Sequence, residues 1–256
     1  MRPATLARTG KSRIQRSGAF TLVELLIAIG IVLTMAALAV PNVIKGVRKA
    51  KKTGSLANLR TFVQADMLYF ADKGEFPPMD TWVPSSISTN RLAIVADYCN
   101  MPIPPGPVTA WPKRRKQPAW INDPLAKDSG KAEGMTVGGG LYTGYVYVGR
   151  LDESPIVTMG LGTITHPEHA ADRKNLRRGV LWSTLLAEFN SSAARRYECF
   201  HYDTVFAYPD FVFKEEEVEG FYRGWSDGSA EWVPRRQIKF GGDDVQIRHV
   251  MGNYYY

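Results

Sequence analysis

One apolar run near the N-terminus constrains this chain more than any other feature. The run covers 21 residues, from Phe20 to Val40, and Glu24 is the one residue within it that can ionise. As a helix it would rise about 31 Å, at about 1.5 Å per residue, which matches the hydrocarbon thickness of a bilayer. A carboxylate in such a run costs roughly a few kcal/mol unless it finds a partner. The sequence therefore predicts a membrane-spanning helix that carries one charge in need of a partner.

Positive charge is concentrated ahead of this run. The chain carries a net +7, and five basic residues precede Phe20 with no acidic residue among them: Arg2, Arg8, Lys11, Arg13 and Arg16. The rest of the chain has 27 basic and 25 acidic residues, a net of +2. A nearly neutral body argues against a polyanionic partner, so we expect no nucleic-acid binding. Residues 1–19 are typical of a cytoplasmic leader that orients a membrane segment.

A cleaved secretory signal peptide is the competing interpretation of the same region. Ala37-Leu-Ala39 fits an A-x-A cleavage site, and the mature chain would then begin at Val40. Against this, the apolar core is longer than the usual range of about 7 to 15 residues, and Glu24 lies inside it.

The residues at the start of the run resemble a known processing motif. Gly18-Ala-Phe-Thr-Leu-Val-Glu-Leu-Leu after a basic leader is similar to the N-terminal motif of type IV prepilins and type II secretion pseudopilins. The resemblance implies that a prepilin peptidase cuts just before Phe20 and methylates the new N-terminus. Glu24 would then be the fifth residue of the mature chain. Pro41 would be the twenty-second, where many family members have a helix-kinking proline.

Two peptide bonds compete as the cleavage site in this register. The family normally has glycine before the cut, whereas this chain has Ala19 there and Gly18 one place earlier. Cutting after Gly18 would make Glu24 the sixth residue. We favour the bond between Ala19 and Phe20, because the positions of Glu24 and Pro41 both agree with it.

The resemblance also implies a function and a set of partners. The chain would be a structural subunit of a type II secretion pseudopilus or a type IV pilus-like filament, without catalytic activity of its own. Glu24 would neutralise the free N-terminal amine of a neighbouring subunit inside the filament core. The implied partners are the prepilin peptidase, other pilin or pseudopilin subunits, the inner-membrane assembly platform and the lipid bilayer. The implied location is the bacterial inner membrane, with a cytoplasmic N-terminus and a periplasmic head, and then a filament in the periplasm or on the cell surface.

The remainder of the chain predicts an α+β fold. Residues 20–40 form the membrane or filament-core helix, and residues 41–73 form its amphipathic second half, with apolar residues recurring at steps of three and four. Pro41 should bend the helix between these halves, and Gly74 with the following prolines should end it. Residues 74–256 form the head, in which an antiparallel sheet packs on the second half of the helix. Basic residues from Lys45 to Lys52 either touch lipid headgroups or form a solvated face.

Local patterns predict the elements of the head. We expect a short helix near residues 91–98 and a proline-rich loop that contains the basic cluster 113–116. Residues 179–189 fit either a strand or a helix, and the acidic stretch 214–219 fits a solvated face. The closing Tyr254-Tyr-Tyr256 packs on the head or on a neighbour. The remaining predictions are strands at residues 141–148, 154–160 and 203–208 and a hairpin over residues 224–234, where Asp-Gly lies between apolar residues.

One motif offers an enzymatic alternative. Gly224-Trp-Ser-Asp-Gly228 matches G-x-S-x-G, and Asp243, Asp244 and His249 follow Ser226 in the order of a hydrolase triad. A nucleophile elbow needs a strand before it and a helix after it, whereas residues 229–234 are typical of a strand that ends at a proline. A secreted or membrane-anchored enzyme or binding protein that does not polymerise is therefore the alternative function.

Candidate metal ligands are few. His166 and His169 are three residues apart, but Pro167 favours a loop over a zinc-binding helix. The pseudopilin resemblance implies a calcium alternative in a C-terminal loop, with Asp227, Asp243 and Asp244 as oxygen donors. No EF-hand spacing exists, and we expect no cofactor unless calcium binds.

Two cysteines, Cys99 and Cys199, fit neither a zinc ribbon nor a disulfide scaffold. They could pair if the head is exported, and their spacing leaves this open.

Overall fold

The structure, a computed structural model, describes most of the helical region and much of the head. It describes residues 21–81, 86–103, 105–106, 118–125, 136–137, 140–165, 171, 179–190, 195–199, 211–212, 215–240, 247–249 and 252–256. The chain divides into two compact units between Val47 and Arg48, and each unit is described by itself.

A single long helix, α1, runs through the N-terminal part of the chain. It begins at Leu22 and ends at Lys73, it contains Pro41, and it is long and apolar enough to cross a membrane. Its end has the predicted form, because Gly74 has a positive φ of 74° and donates its backbone N–H to Phe70 O at 2.8 Å. A glycine in this conformation is the common way to close a helix.

The described residues of the second unit include two shorter α-helices. Helix α2, Thr89–Cys99, begins after Ser88, whose hydroxyl accepts the backbone N–H of Arg91 at 3.0 Å, so the predicted helix near residues 91–98 is confirmed. Helix α3, Pro155–Thr158, occupies the stretch where we predicted a strand, and that prediction is wrong. Ser154 and Pro155 explain the difference. The backbone oxygen of Ser154 accepts Thr158 N at 3.0 Å, and proline is well suited to the first turn of a helix.

The described residues include thirteen short strands in three antiparallel sheets. The strands are β1 (Ser86–Ile87), β2 (Thr136–Val137), β3 (Gly140–Tyr142), β4 (Tyr145–Tyr147), β5 (Gly162–Ile164), β6 (Val180–Thr184), β7 (Leu186–Asn190), β8 (Arg195–Cys199), β9 (Phe211–Val212), β10 (Gly220–Trp225), β11 (Ala230–Pro234), β12 (Ile247–His249) and β13 (Gly252–Tyr254). Their order is β1-β3-β2 in the first sheet, β11-β10-β6-β4 in the second, and β5-β12-β13-β7-β8-β9 in the third. Short 3-10 helices at Ala119–Ile121, Leu151–Glu153, Glu215–Glu217 and Arg235–Gln237 complete the described elements.

Several predicted strands exist but are divided differently. The predicted strand at residues 141–148 is two strands in two sheets, β3 and β4, which are separated at Gly144 with its φ of 87°. Residues 179–189, left open between strand and helix, contain β6 and most of β7, and the chain passes from the second sheet to the third at Leu185. The hairpin is confirmed as β10 and β11, in which Arg223 pairs with Glu231. The strand predicted at residues 203–208 lies outside the described residues.

The main core of the second unit lies between α1 and the second sheet. The Phe62 ring of α1 lies 4.7 Å from that of Trp182 on β6 and 5.0 Å from that of Tyr145 on β4, measured between centroids. The backbone of β10 closely approaches α1 at Gly224, where a Cβ atom would lie 2.5 Å from Cγ2 of Val63. The predicted α+β arrangement, with a long N-terminal helix and an antiparallel sheet on its second half, is confirmed at this level.

The three closing tyrosines belong to the interior of the head. Tyr254, Tyr255 and Tyr256 are each 1% exposed, and Tyr255 donates its hydroxyl to the carboxylate of Glu188 at 2.7 Å. Tyr254 and Tyr256 join the main core, whereas Tyr255 joins a smaller cluster that includes Phe221 and Val233. Of the two outcomes that the sequence left open, the three tyrosines therefore pack on the head.

Candidate functional site

The first unit presents an apolar surface on every side of the helix. All its described residues, 21–47, are exposed, and its fifteen large hydrophobic side chains retain between 47% and 76% of their accessible surface. A helix that is apolar all round needs either a protein core or a lipid environment. Within the described chain, these residues have nothing packed on them, so this surface is the first candidate functional site.

Glu24 lies at the start of this helix and is hydrogen-bonded within its own chain. Its Oε2 accepts the backbone N–H of Thr21 at 2.9 Å and the Thr21 hydroxyl at 2.8 Å. In return, Glu24 N lies 3.3 Å from the Thr21 hydroxyl oxygen. This reciprocal pattern is a capping box, in which Thr21 is the N-cap residue and Glu24 is the third helical residue. Sequence reasoning treated Glu24 as unpartnered and missed Thr21, although the T-x-x-E spacing was the available signal.

The other predicted processing and assembly residues are placed as follows. Gly18, Ala19 and Phe20 lie outside the described residues, so the predicted cleavage sites stay predictions. Pro41 lies inside α1 and is exposed.

The G-x-S-x-G motif lies in the turn of the β10–β11 hairpin. Ser226 is 2% exposed, and its hydroxyl oxygen accepts the backbone N–H of Gly179 at 3.0 Å, while its own N–H donates to Gly179 O at 2.8 Å. The residues that follow form β11 rather than a helix. This serine therefore ties the hairpin to the chain just before β6, and it does not have the strand-turn-helix setting of a nucleophile elbow. Of the suggested triad partners, Asp243 and Asp244 lie outside the described residues, as does the side chain of His249.

The candidate metal ligands do not form a site within the described part of the chain. No group of three or more His, Cys, Asp or Glu side chains there has the arrangement of a metal centre. Asp227 caps its own turn instead, with Oδ1 accepting the backbone N–H of Ser229 at 2.8 Å. His166, His169, Asp243 and Asp244 lie outside the described residues, so their role stays a prediction.

A buried ion pair fixes α1 to the head, and sequence reasoning missed it. The Asp66 side chain on α1 is 0% exposed and the Arg91 side chain on α2 is 2% exposed, and they form a hydrogen-bonded ion pair. Trp182 on β6 donates its indole N–H to Asp66 Oδ2 at 2.7 Å. The Arg91 guanidinium also stacks on Tyr147 of β4, with Cζ 3.6 Å from the ring centroid. The available signal was the position of Asp66 three residues after Val63, on the apolar stripe of the helix.

The electrostatics of this cluster are unusual for a carboxylate beside an arginine. Burial raises the pKa of Asp66 to about 6, although the charge of Arg91 and the hydrogen bond from Trp182 act in the opposite direction. Asp66 Oδ1 and Arg91 Nε and Nη1 are buried without a hydrogen-bond partner among the described residues. Incompletely paired buried charges are costly, so this cluster specifies how α1, α2 and the second sheet fit together more than it adds stability.

Cys99 is a free thiol at the end of α2. It is partly buried, its sulfur lies 3.5 Å from Thr61 O, and burial raises its pKa. The side chain of Cys199 lies outside the described residues.

Comparison of this chain with protein-family models, with curated proteins and with solved structures finds no match.

Proposed function

We propose that this chain is a membrane-inserted structural subunit whose first helix becomes the core of a filament. The observation that carries the proposal is the first unit, an exposed helix with a single ionisable residue, Glu24, among residues 21–44. Lipid can cover such a helix in the precursor, and other copies of the same helix can cover it in a filament. The class of filament that the N-terminal motif favours is a type II secretion pseudopilus or a type IV pilus-like fibre, in which the pilin-like head would be displayed outside the membrane.

The charge of Glu24 favours assembly over simple anchoring. The two donors of Thr21 satisfy Oε2 but are both uncharged, so the carboxylate keeps its full negative charge within an apolar surface. A buried charge is far less costly when an opposite charge lies beside it. The free N-terminal amine that prepilin cleavage would create on a neighbouring copy has the required sign and lies at the right end of the helix.

Cleavage is tested by determining the N-terminus of the protein recovered from cells. A mature chain that begins at Phe20 or at Ala19, with or without a methyl group, supports prepilin-type processing, and a chain that begins at Ala19 places the cut after Gly18. A chain that begins at Met1 contradicts it. A chain that begins at Val40 identifies the segment as a secretory signal peptide.

Polymerisation is tested by Glu24→Ala, with Thr34→Ala as the matched control. Both residues are polar and exposed on the same apolar helix, but Thr34 carries no charge and its hydroxyl donates to Ile31 O at 2.8 Å. We expect Glu24→Ala to reduce the amount of sheared filament at least about tenfold, the effect of losing about 1.4 kcal/mol per contact, and Thr34→Ala to leave it within about twofold. Undiminished filaments in Glu24→Ala would overturn the proposed role of this residue.

The second candidate is a membrane-anchored head that never polymerises. The capping box favours it, because Glu24 already finds two hydrogen-bond donors within its own chain. In that case the protein stays in the membrane fraction as single copies, and Glu24→Ala changes neither its location nor its state of association.

A further inference from the structure

A groove of about 520 Å³ opens on the second unit beside the start of its helical segment. It is lined by Lys52, Glu216, Val218, Glu219, Tyr222 and Trp232. The groove thus combines two aromatic rings with carboxylates, which is the chemistry that recognises a cation.

The aromatic wall of the groove is built into the hairpin. The Tyr222 and Trp232 rings pack edge to face, with their centroids 4.8 Å apart. Gly220 makes room for the indole, because a Cβ atom there would lie 2.8 Å from Trp232 Cζ2 and 2.1 Å from Val233 O. Gly220 also has a φ of 143°, so the backbone and the ring both require glycine at this position.

The groove already holds one ammonium group from its own chain. Lys52 Nζ lies 5.8 Å from the centroid of the Trp232 ring and forms an ion pair with Glu219. Arg48 Nη2 lies 3.9 Å from the same carboxylate, so the charge of Glu219 is compensated. The intramolecular contact shows which chemical group fits against these rings.

The rim of the groove carries negative charge that is not compensated in this way. Glu216 lines the groove and Glu217 is adjacent to it in the chain, and neither makes an ion pair with any residue that the structure describes. Glu215, on the same 3-10 helix, pairs with Arg235 at 2.8 Å. The sequence predicts a solvated face here. That prediction fits Glu216 and Glu217 but is wrong for Glu219, which pairs with α1.

We propose that this groove docks the exposed lysines Lys45 and Lys49 from α1 of a second copy of the chain. Both are exposed, and neither pairs with a carboxylate in the described part of its own chain. They precede Lys52 by seven and three residues, so all three share one helix face. A parallel neighbour displaced along the helix by about 5 to 10 Å therefore brings one of them to the level that Lys52 occupies. This inference rests on the proposed filament, because the filament is what sets copies side by side.

Charge reversal tests the contact in assembled filaments. We expect Glu216→Lys with Glu217→Lys, and separately Lys45→Glu with Lys49→Glu, to reduce the yield of sheared filaments at least tenfold. All four changes in one chain should restore the yield to within threefold of the unmodified protein. The matched control is Asp97→Lys, which reverses an exposed carboxylate on α2 outside the groove and should leave the yield within twofold. Full yield after either reversal alone, or no restoration in the combined variant, overturns the inference.

Cysteine cross-linking in membranes separates this inference from the proposed function. In a background with Cys99→Ser and Cys199→Ser, copies that carry Glu216→Cys are co-expressed with copies that carry Lys49→Cys, and the oxidised membranes are examined for dimers. A dimer that is absent when Asp97→Cys replaces Glu216→Cys supports docking, even if no filament forms and the proposed function fails. Filaments without this dimer leave the proposed function standing and overturn the groove contact.

Discussion

Asp66 is the residue whose protonation should control the stability of the head. Burial raises the pKa of this carboxyl to about 6 from the ordinary value of 3.8, so the folded state binds the proton more tightly than the unfolded state does. Its contribution to stability is fully present below about pH 4 and is lost as the pH rises through 6. We therefore expect the free energy of unfolding, relative to that of Asp66→Asn, to fall by roughly 2 kcal/mol between pH 4 and pH 7.

Denaturant unfolding of both proteins across this pH range measures the difference, and the asparagine variant cancels all other titrating groups. If the difference rises with pH instead, the ion pair with Arg91 outweighs the desolvation of Asp66. The assignment of burial as the dominant cause would then be wrong.

Gly224 is a residue where side-chain size limits helix–sheet packing. A methyl group at this position would lie 2.5 Å from Val63 Cγ2, so Gly224→Ala forces the Val63 side chain or α1 to shift away from β10. We expect this variant to lose about 1 to 3 kcal/mol of unfolding free energy, as is usual for overpacking a core.

A double-mutant cycle with Val63→Ala provides the control for Gly224→Ala. Removing the two Val63 methyl groups makes room for the new one, so the double variant should be about 1 kcal/mol more stable than the sum of the single effects predicts. Additive losses would show that the approach of α1 to β10 does not limit the size of residue 224.

At the scale of elements, the stability of the first turn of α1 depends on its capping box. Thr21→Val keeps the shape of the side chain but removes the hydroxyl that donates to Glu24 and accepts its N–H. We expect the first helical turn to lose about 1 kcal/mol, seen as faster amide hydrogen exchange at residues 22–25 of the full chain in detergent micelles. Thr21→Ser keeps the hydroxyl and should retain the original exchange rates.

Local sequence signals predicted the elements that local interactions determine. The end of α1 at Gly74, helix α2 and the hairpin at Asp227-Gly228 each depend on residues adjacent in the chain, and all three were predicted correctly. Residues 155–158 form a helix instead of the predicted strand, because the N-terminal helix signal of Ser154 and Pro155 outweighs the β-branched residues that follow.

Long-range pairing explains what the sequence could not predict. Residues 141–148 and 179–189 each read as one continuous pattern, but each is shared between two sheets. Leu185, where the chain leaves the second sheet, lies between Thr184 and Leu186, and none of the three is a turn signal. The pairing of β7 with β13, more than 60 residues away along the chain, depends on tertiary contacts that local periodicity does not record.

The candidate sites also differ in whether they depend on local signals or on long-range contacts. Glu24 was predicted from a single charge in an apolar run, which is a local anomaly. Asp66 and Arg91, which lie on two different helices, are 25 residues apart in the chain, and the groove brings Lys52 of α1 to Trp232 of the hairpin. Only the fold brings these side chains together, so neither was predicted.

At the scale of the whole molecule, the division at Val47 predicts a head that folds without the first unit. The buried core of the described chain comes entirely from residues after the division, whereas residues 21–47 contribute nothing to it. We expect a fragment of residues 48–256 to remain in solution without detergent and to show a cooperative thermal transition by circular dichroism. A fragment that aggregates or lacks a transition would show that the first unit is needed for folding.

The contacts of Val63 and Asp66 have a mechanical consequence. These residues lie one turn apart on α1; Val63 abuts the backbone at Gly224, and Asp66 is tied to Arg91 and Trp182. A force that pulls the helix lengthwise out of the head would load the steric contact and the ion pair in shear at the same time. Sliding the helix by one turn would require both contacts to break, so we expect the helix to stay in register until the head unfolds. Stretching by optical tweezers should show one sharp rupture of the head, without a series of smaller sliding steps.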